Sequence, residues 1–218
     1  MVLLAPSVGA LRKLLNECES YAATHGLIYN TNKTEFMVFR SGTRCPTTVP
    51  PLIIKGHPIN RVYKFKYLGH LVTDDLKDDM DLERERRALS VRANMLARRF
   101  SRCTDAIKIT LFKAYCTALY SGALWFTYTQ KAYNALRIQY NNAFRVLLRL
   151  PRFCSASTMF ADARTDGFDA LWRKKSASLL RRLRGSPNTI LQSIAARADS
   201  PLVWALANRT RSVLVIKY

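Results

Sequence analysis

Gly26–Phe39, GLIYNTNKTEFMVF, and Phe65–Val72, FKYLGHLV, are the two stretches on which the reading of this chain turns. The first opens on an apolar pair, passes through a polar turn (Asn30, Thr31, Asn32) that carries Lys33, and continues as alternating apolar positions. Phe36 and Val38 fall on one side and Met37 and Phe39 on the other, the period of a strand, here Thr34 to Arg40, after a short strand at Leu27–Tyr29. The second stretch lies in a strand predicted over Tyr63–Val72, broken by Gly69.

Val2–Ala5 reads as a strand ended by Pro6. Ser7 can cap a helix to about Thr24, because Leu11, Leu14, Leu15, Cys18, Tyr21 and Ala22 recur at helical steps. Gly26 suits its left-handed C-terminal cap. Ser41–Pro51 reads as a Thr- and Pro-rich loop, and Leu52–Lys55 with Ile59–Val62 as a β-hairpin around Gly56-His57-Pro58.

An acidic linker, Asp74–Asp81, precedes a change of composition. From Leu82 onward only helices are predicted. Leu82, Leu89, Ala93, Leu96 and Phe100 share one face, and Arg84, Arg87, Arg92, Arg98 and Arg99 project from the other. A mostly apolar helix follows from Asp105 to about Thr129. A third spans Lys131–Leu150, with Arg137, Arg145 and Arg149 off its apolar face, and Pro151 ends it. A short segment near Ala156–Ala163 has no clear period. The next helix starts at Asp166 or Gly167 and sets Phe168, Leu171, Trp172, Leu179 and Leu183 against Arg173, Lys174, Lys175, Arg181, Arg182 and Arg184, until Gly185-Ser186-Pro187 breaks it. Thr189–Arg197 can form one more helix, and the last dozen residues show no pattern. The fold class expected is α+β: residues 1–81 as one helix on short antiparallel strands, 82–185 as a helical bundle, and 186–218 as a tail, partly helical or disordered.

Charge divides the 218 residues in the same place. Residues 1–81 hold 10 basic and 8 acidic side chains, net +2, and residues 82–218 hold 25 and 7, net +18, which together make the +20 of the whole chain. A basic module beside a nearly neutral one fits a polyanion partner, nucleic acid first; the plain alternative is a soluble basic surface. Cys18, Cys45, Cys103, Cys116 and Cys154, with His25, His57 and His70, show no zinc-ligand spacing, so no metal site is expected. Dispersed, odd-numbered cysteines fit reduced thiols in an intracellular protein, nuclear or cytoplasmic. Met1–Gly9 lacks the features of a signal peptide, and the longest apolar run, Ala114–Tyr128, is too short for a bilayer, so no membrane anchor is expected. Asp74, Asp75, Asp78 and Asp79 invite a two-metal reading, but they stand in a short linker beside a helix start, where acids favour the helix dipole, and they are read as serving it.

In order and spacing, the two opening stretches resemble the last two palm motifs of the reverse transcriptases of non-LTR (LINE-like) retrotransposons. Gly26, Leu27, Asn30, Lys33, Thr34 and Glu35 match the G-L-x-x-N-x-x-K-T-E segment without departure, and Tyr67, Leu68 and Gly69, preceded by Phe65, match the Y-L-G segment of the primer grip. The resemblance implies that Lys33 lies near the phosphates of an incoming nucleotide as an auxiliary catalytic group; from its spacing alone it is a surface lysine in a turn. It implies that Tyr67, Leu68 and Gly69 support a primer end, while Phe65 reads as core. It makes the helical half a thumb that binds an RNA–DNA hybrid or other duplex through Arg84, Arg87, Arg92, Arg98, Arg99, Arg137, Arg145, Lys174, Arg181 and Arg184.

The family's metal-binding Asp-Asp pair stands just before a segment like Met1–Ser7, so the chain reads as beginning after it. The magnesium of the full-length family enzyme is therefore expected to have no ligands here, and no cofactor is expected. The resemblance, which spans about residues 1–185, implies reverse transcriptase ancestry without polymerase activity of this chain alone, and leaves an uncovered palm face open to self-association. The alternative is a co-opted basic helical protein that binds nucleic acid or another partner without an enzymatic role. A decayed genomic copy is a third reading.

Overall fold

The computed structural model describes residues 1–40, 48–197 and 199–211, with side chains through Thr210. The larger part of the Ser41–Pro51 loop, with Cys45, lies outside the described residues. The fold is α+β, with short strands in the N-terminal part and a helical C-terminal region. The chain divides into two compact units, residues 1–67 with 71–76, and residues 68–70 with 77–218.

In the first unit the Ser7 hydroxyl accepts from Ala10 N at 3.1 Å and starts helix α1, Val8–Thr24. Gly26 takes φ 63°, and Leu27 N reaches back to Ala22 O at 2.8 Å, the closing bond of a left-handed C-terminal cap. The strands are shorter than their sequence patterns. They are β1 (Glu35–Phe36), β2 (Ile53–Ile54), β3 (His57–Pro58), β4 (Asn60–Arg61), β5 (Lys64–Tyr67) and β6 (His70–Thr73), in three two-stranded ribbons. β2 and β3 pair antiparallel, whereas β1 and β4 pair in parallel, contrary to the antiparallel set expected.

Val2–Ala5 and Leu27–Tyr29 form no ladder, and Thr34–Arg40 forms one only over β1. Alternation marks a chain able to pair, but each strand also needs a partner for its N–H and C=O groups. The predicted strand Tyr63–Val72 is instead a hairpin of β5 and β6. Leu68 (φ 46°) and Gly69 (φ 85°) make the turn between them, and Lys55 (φ 48°) and Gly56 (φ 77°) make the equivalent turn between β2 and β3. Two consecutive positive φ values define the turn whose twist matches a two-residue hairpin. Leu15 buries against Leu52, Ile54 and Ile59, with Leu11, Tyr29 and Phe36 packed around them. Leu14 and Tyr21 of α1 remain exposed, as do Leu27 and Ile28.

The second unit contains α2 (Asp79–Arg99), α3 (Asp105–Tyr115), α4 (Gln130–Leu148), α5 (Ala156–Asp162), α6 (Phe168–Arg184), α7 (Thr189–Ala196) and α8 (Pro201–Arg211). The apolar stripe of α2 (Leu82, Leu89, Ala93, Leu96) meets that of α4 (Leu136, Tyr140, Ala143, Phe144, Leu147) in the core. Asp79 beside Thr129 joins their N-terminal ends and Ser101 beside Arg149 their C-terminal ends, so α2 and α4 run parallel. Phe112 of α3 lies edge-on to Tyr140 and Phe144, with ring centroids 5.1 and 4.9 Å away.

One expectation changes here. The helix predicted from Asp105 to Thr129 stops at Tyr115, and Cys116–Thr129 is mostly irregular around a short 3-10 turn at Gly122–Leu124. The tail, expected to be partly helical or disordered, contains α7 and also α8, which begins at Pro201, packs on α6 and fully buries Leu206. Among the described residues, no helix is long and apolar enough to cross a membrane.

Candidate nucleic-acid interface

The turn at Lys33 is built by its neighbours. Asn30 Oδ1 accepts from Lys33 N at 3.2 Å, Thr34 Oγ1 donates to Asn30 O at 2.8 Å, and Thr31–Lys33 forms one 3-10 turn. The Lys33 side chain is exposed. In the Tyr67-Leu68-Gly69 segment, Tyr67 and Leu68 are exposed, Leu68 by 73% at the apex of its hairpin. The position of a Cβ on Gly69 would lie 3.5 Å from the Tyr120 ring, ordinary contact, so the glycine is required by its φ and not by crowding. Phe65 is partly buried.

The ten basic residues named from the sequence separate into two groups. Arg98, Arg99, Arg137, Arg181 and Arg184 are exposed. Arg87 is exposed too, but its Nε donates to Glu83 at 2.7 Å. Arg86 donates to the same carboxylate, and together the two guanidiniums hold Glu83 down at about 2. Lys174 is exposed and pairs with Asp166 at 2.7 Å. Arg84, Arg92 and Arg145 are half-buried and serve the protein. Arg145 donates to Cys154 O at 2.8 Å and Asn142 Oδ1 at 3.0 Å. Arg84 and Arg92 both contact Glu85, which is buried. Helical projection shows only that they lie off the apolar stripe; a buried carboxylate one position or about two turns away then draws them in.

The carboxylates of the acidic linker form a centre that the sequence reading missed. Asp81, fully buried, accepts from Arg84 Nε at 2.6 Å, Ser121 Oγ at 2.7 Å and Trp125 Nε1 at 2.6 Å. His70 Nδ1 lies 3.1 Å from the same carboxylate, and its Nε2 lies 3.6 Å from Asp78. Asp78 Oδ2 accepts from Phe126 N and Thr127 N at 2.7 and 2.9 Å, and Asp79 Oδ1 accepts from Thr129 N and Oγ1 at 3.0 and 2.6 Å.

Three carboxylates thus take six donors from the 121–129 segment, and this is the physical reason that the predicted helix does not continue. A helical 116–129 would spend the N–H groups of Phe126, Thr127 and Thr129 internally and leave Asp78 and Asp79 without them. The signal available in the sequence was five aspartates at the start of a strong amphipathic helix; what Asp78, Asp79 and Asp81 bind lies some 40 to 50 residues later. Burial alone would raise the Asp81 pKa, but its donors outweigh burial and hold it far below the usual carboxylate range. Burial raises Asp78, against the two N–H groups it accepts. Contact with Asp81 raises His70, against the opposite effect of burial. The other two linker aspartates are also engaged, Asp74 with Arg40 at 2.7 Å and Asp75 with Thr73 Oγ1 at 2.7 Å.

No group of three or more metal-ligating side chains with the arrangement of an ion site occurs among the described residues. The free cysteines described are Cys18, Cys103, Cys116 and Cys154; burial pushes the Cys116 thiol up to about 11. Compared with protein-family models, with curated proteins and with solved structures, the chain returns no match.

Proposed function

We propose that the chain is the end of the palm and the thumb of a retrotransposon reverse transcriptase, and that its helical unit holds duplex nucleic acid by the phosphate backbone. The observation that carries this reading is the exposure of Arg98, Arg99, Arg137, Arg181 and Arg184 on helices whose apolar stripes are buried in one core. Such helices present cations to a polyanion without giving up packing. Binding of this kind releases counterions and reads the shape of a duplex more than its sequence. The palm motifs support the family assignment: an exposed lysine held in a capped turn, and an aromatic hairpin with glycine at its bend. Phosphoryl transfer is not assigned to these residues, because none of them matches the family's metal-binding aspartates. The self-contained core of the helical unit favours the second reading, a basic binding module in which the palm motifs are relics.

Fluorescence anisotropy of the purified chain with a labelled RNA–DNA hybrid, across a salt series, tests the proposal. Single-stranded RNA and heparin are the comparators. A preference for the hybrid with a steep logarithmic salt slope is expected, and equal binding to all three refutes it. Lys33→Ala separates the two readings, since loss of hybrid binding is expected only from the polymerase remnant.

A further inference from the structure

The C-terminal ends of α2 and α4 carry a second feature, independent of the family motifs. Residues 86–104 and 130–161 contain no aspartate or glutamate. Where these stretches adjoin, Arg149 Nη2 donates to Ser101 O at 3.4 Å, and Arg98, Arg99, Arg102, Arg149 and Arg152 are all exposed. The nearest acid in sequence, Asp105, is paired with Lys108 at 3.2 Å. Arginine at a helix C-terminus favours the dipole, but that benefit is confined to the last turn, and Arg102 and Arg152 lie beyond it.

Within this arginine group stands Phe153, 91% exposed. The loop that carries it is fastened on both sides. Arg149 turns the chain out of α4 with φ 58°, and Leu150 N returns to Arg145 O at 2.9 Å. Beyond the ring, Cys154 N bonds to Pro151 O at 3.1 Å, and Arg145 grips Cys154 O at 2.8 Å. An aromatic ring held out by a braced loop forgoes the burial that stabilises a core phenylalanine. Unpaired nucleic acid combines phosphates for such arginines with bases for such a ring, and base–aromatic stacking is how single strands are held without sequence readout.

We propose that Phe153, flanked by Arg149 and Arg152, is a stacking platform for an unpaired base, and that this end of the α2–α4 pair holds a single-stranded extension of the bound duplex. The proposal rests on the nucleic-acid reading above and adds the single-stranded class and its contact residue. The test compares anisotropy binding of a blunt RNA–DNA hybrid with the same hybrid carrying an unpaired RNA overhang, for the wild-type chain, Phe153→Ala and Phe153→Leu. The wild type is expected to bind the overhang substrate more tightly. Both variants should lose about tenfold on that substrate and almost nothing on the blunt hybrid, the loss of one stacked base.

Full retention by Phe153→Leu overturns stacking, since leucine keeps the apolar bulk and not the ring face. Equal affinity of the wild type for both substrates, unchanged in Phe153→Ala, overturns the platform while leaving duplex binding intact. Absence of binding to either substrate overturns the platform together with the reading on which it rests. The ring is exposed, so far-UV circular dichroism of both variants should match the wild type.

Discussion

Replacing Asp81 by alanine should remove a large fraction of the stability of the helical unit. The carboxylate is fully buried and has Arg84, Ser121, Trp125 and His70 around it. Its loss leaves the half-buried Arg84 without its strongest partner and two neutral donors without an acceptor. Truncating one member of a buried charged network costs about 3–5 kcal/mol. The stability of a whole domain is about 5–15 kcal/mol, so the variant would be marginal. Urea unfolding of the full chain, followed by tryptophan emission, reads this directly because Trp125 donates to the lost group. With a slope of about 2 kcal/mol per molar urea, the midpoint should fall by about 1.5–2.5 M. Asp81→Asn should fall between wild type and alanine, since it keeps the shape and not the charge. Asp199→Ala, which breaks a pair with Arg197 in open solvent, should leave the midpoint unchanged. A fall of less than about 0.5 M for Asp81→Ala, with the slope unchanged, would show that 121–129 is held by packing and would refute the role given to the buried carboxylate.

The same centre makes stability depend on pH from both sides. His70 has a raised folded pKa, so its contribution is complete below the unfolded value of about 6.5 and fades as pH rises through the folded value. Asp81 has a depressed pKa, so its contribution is present above about 4 and is lost below that. Urea midpoints from pH 2 to 9 should therefore decline at both ends, and His70→Asn should flatten the alkaline decline and, because His70 helps to hold the Asp81 carboxyl down, bring the acid-side loss to higher pH. Arg92→Ala should lower the midpoint with little change in the salt slope of hybrid binding, whereas Arg98→Ala combined with Arg99→Ala should reduce the slope by about 2 and leave the midpoint almost unmoved, in paired denaturation and anisotropy series. Phe112→Ala, opening the core between α3 and α4, should cost about 3–5 kcal/mol in the same urea assay. Gly69→Ala should cost about 1 kcal/mol through its positive φ, read as a small drop in melting temperature.

The helical half was legible because its information is periodic and local. Leu82, Leu89, Ala93 and Leu96, and Leu136, Tyr140, Ala143 and Leu147, lie inside as their spacing requires. Ser7 and Gly26 delimit α1 by cap chemistry that a single residue can carry. The strands were less legible, since alternation in Thr34–Arg40 says nothing of whether a partner runs alongside, and only β1 finds one, in β4. The stop after Tyr115 was invisible, because the apolar run through Trp125 is a sound helical pattern locally and its competitor lies on another helix. Of the candidate binding side chains, projection placed Arg98, Arg99, Arg181 and Arg184 outside correctly. It could not tell them from Arg84 and Arg92, which depend on Glu85 and Asp81 for where they point.

The parallel course of α2 and α4 bears on how the chain can fold. Antiparallel neighbours can close as a hairpin while local, but these two require the whole of residues 100–129 to cross over before their stripes meet. The Asp78–Thr127 and Asp79–Thr129 bonds close loops of nearly 50 residues, and no shorter piece of the chain contains them. The contacts between α2 and α4 therefore raise the contact order of the helical unit above that of the same helices joined as antiparallel hairpins, and it should fold more slowly than its helix content implies. On a ribosome, α2 would emerge with its apolar stripe bare and stay so until α4 followed, an interval in which a basic helix with an open leucine face is most exposed to association with other chains.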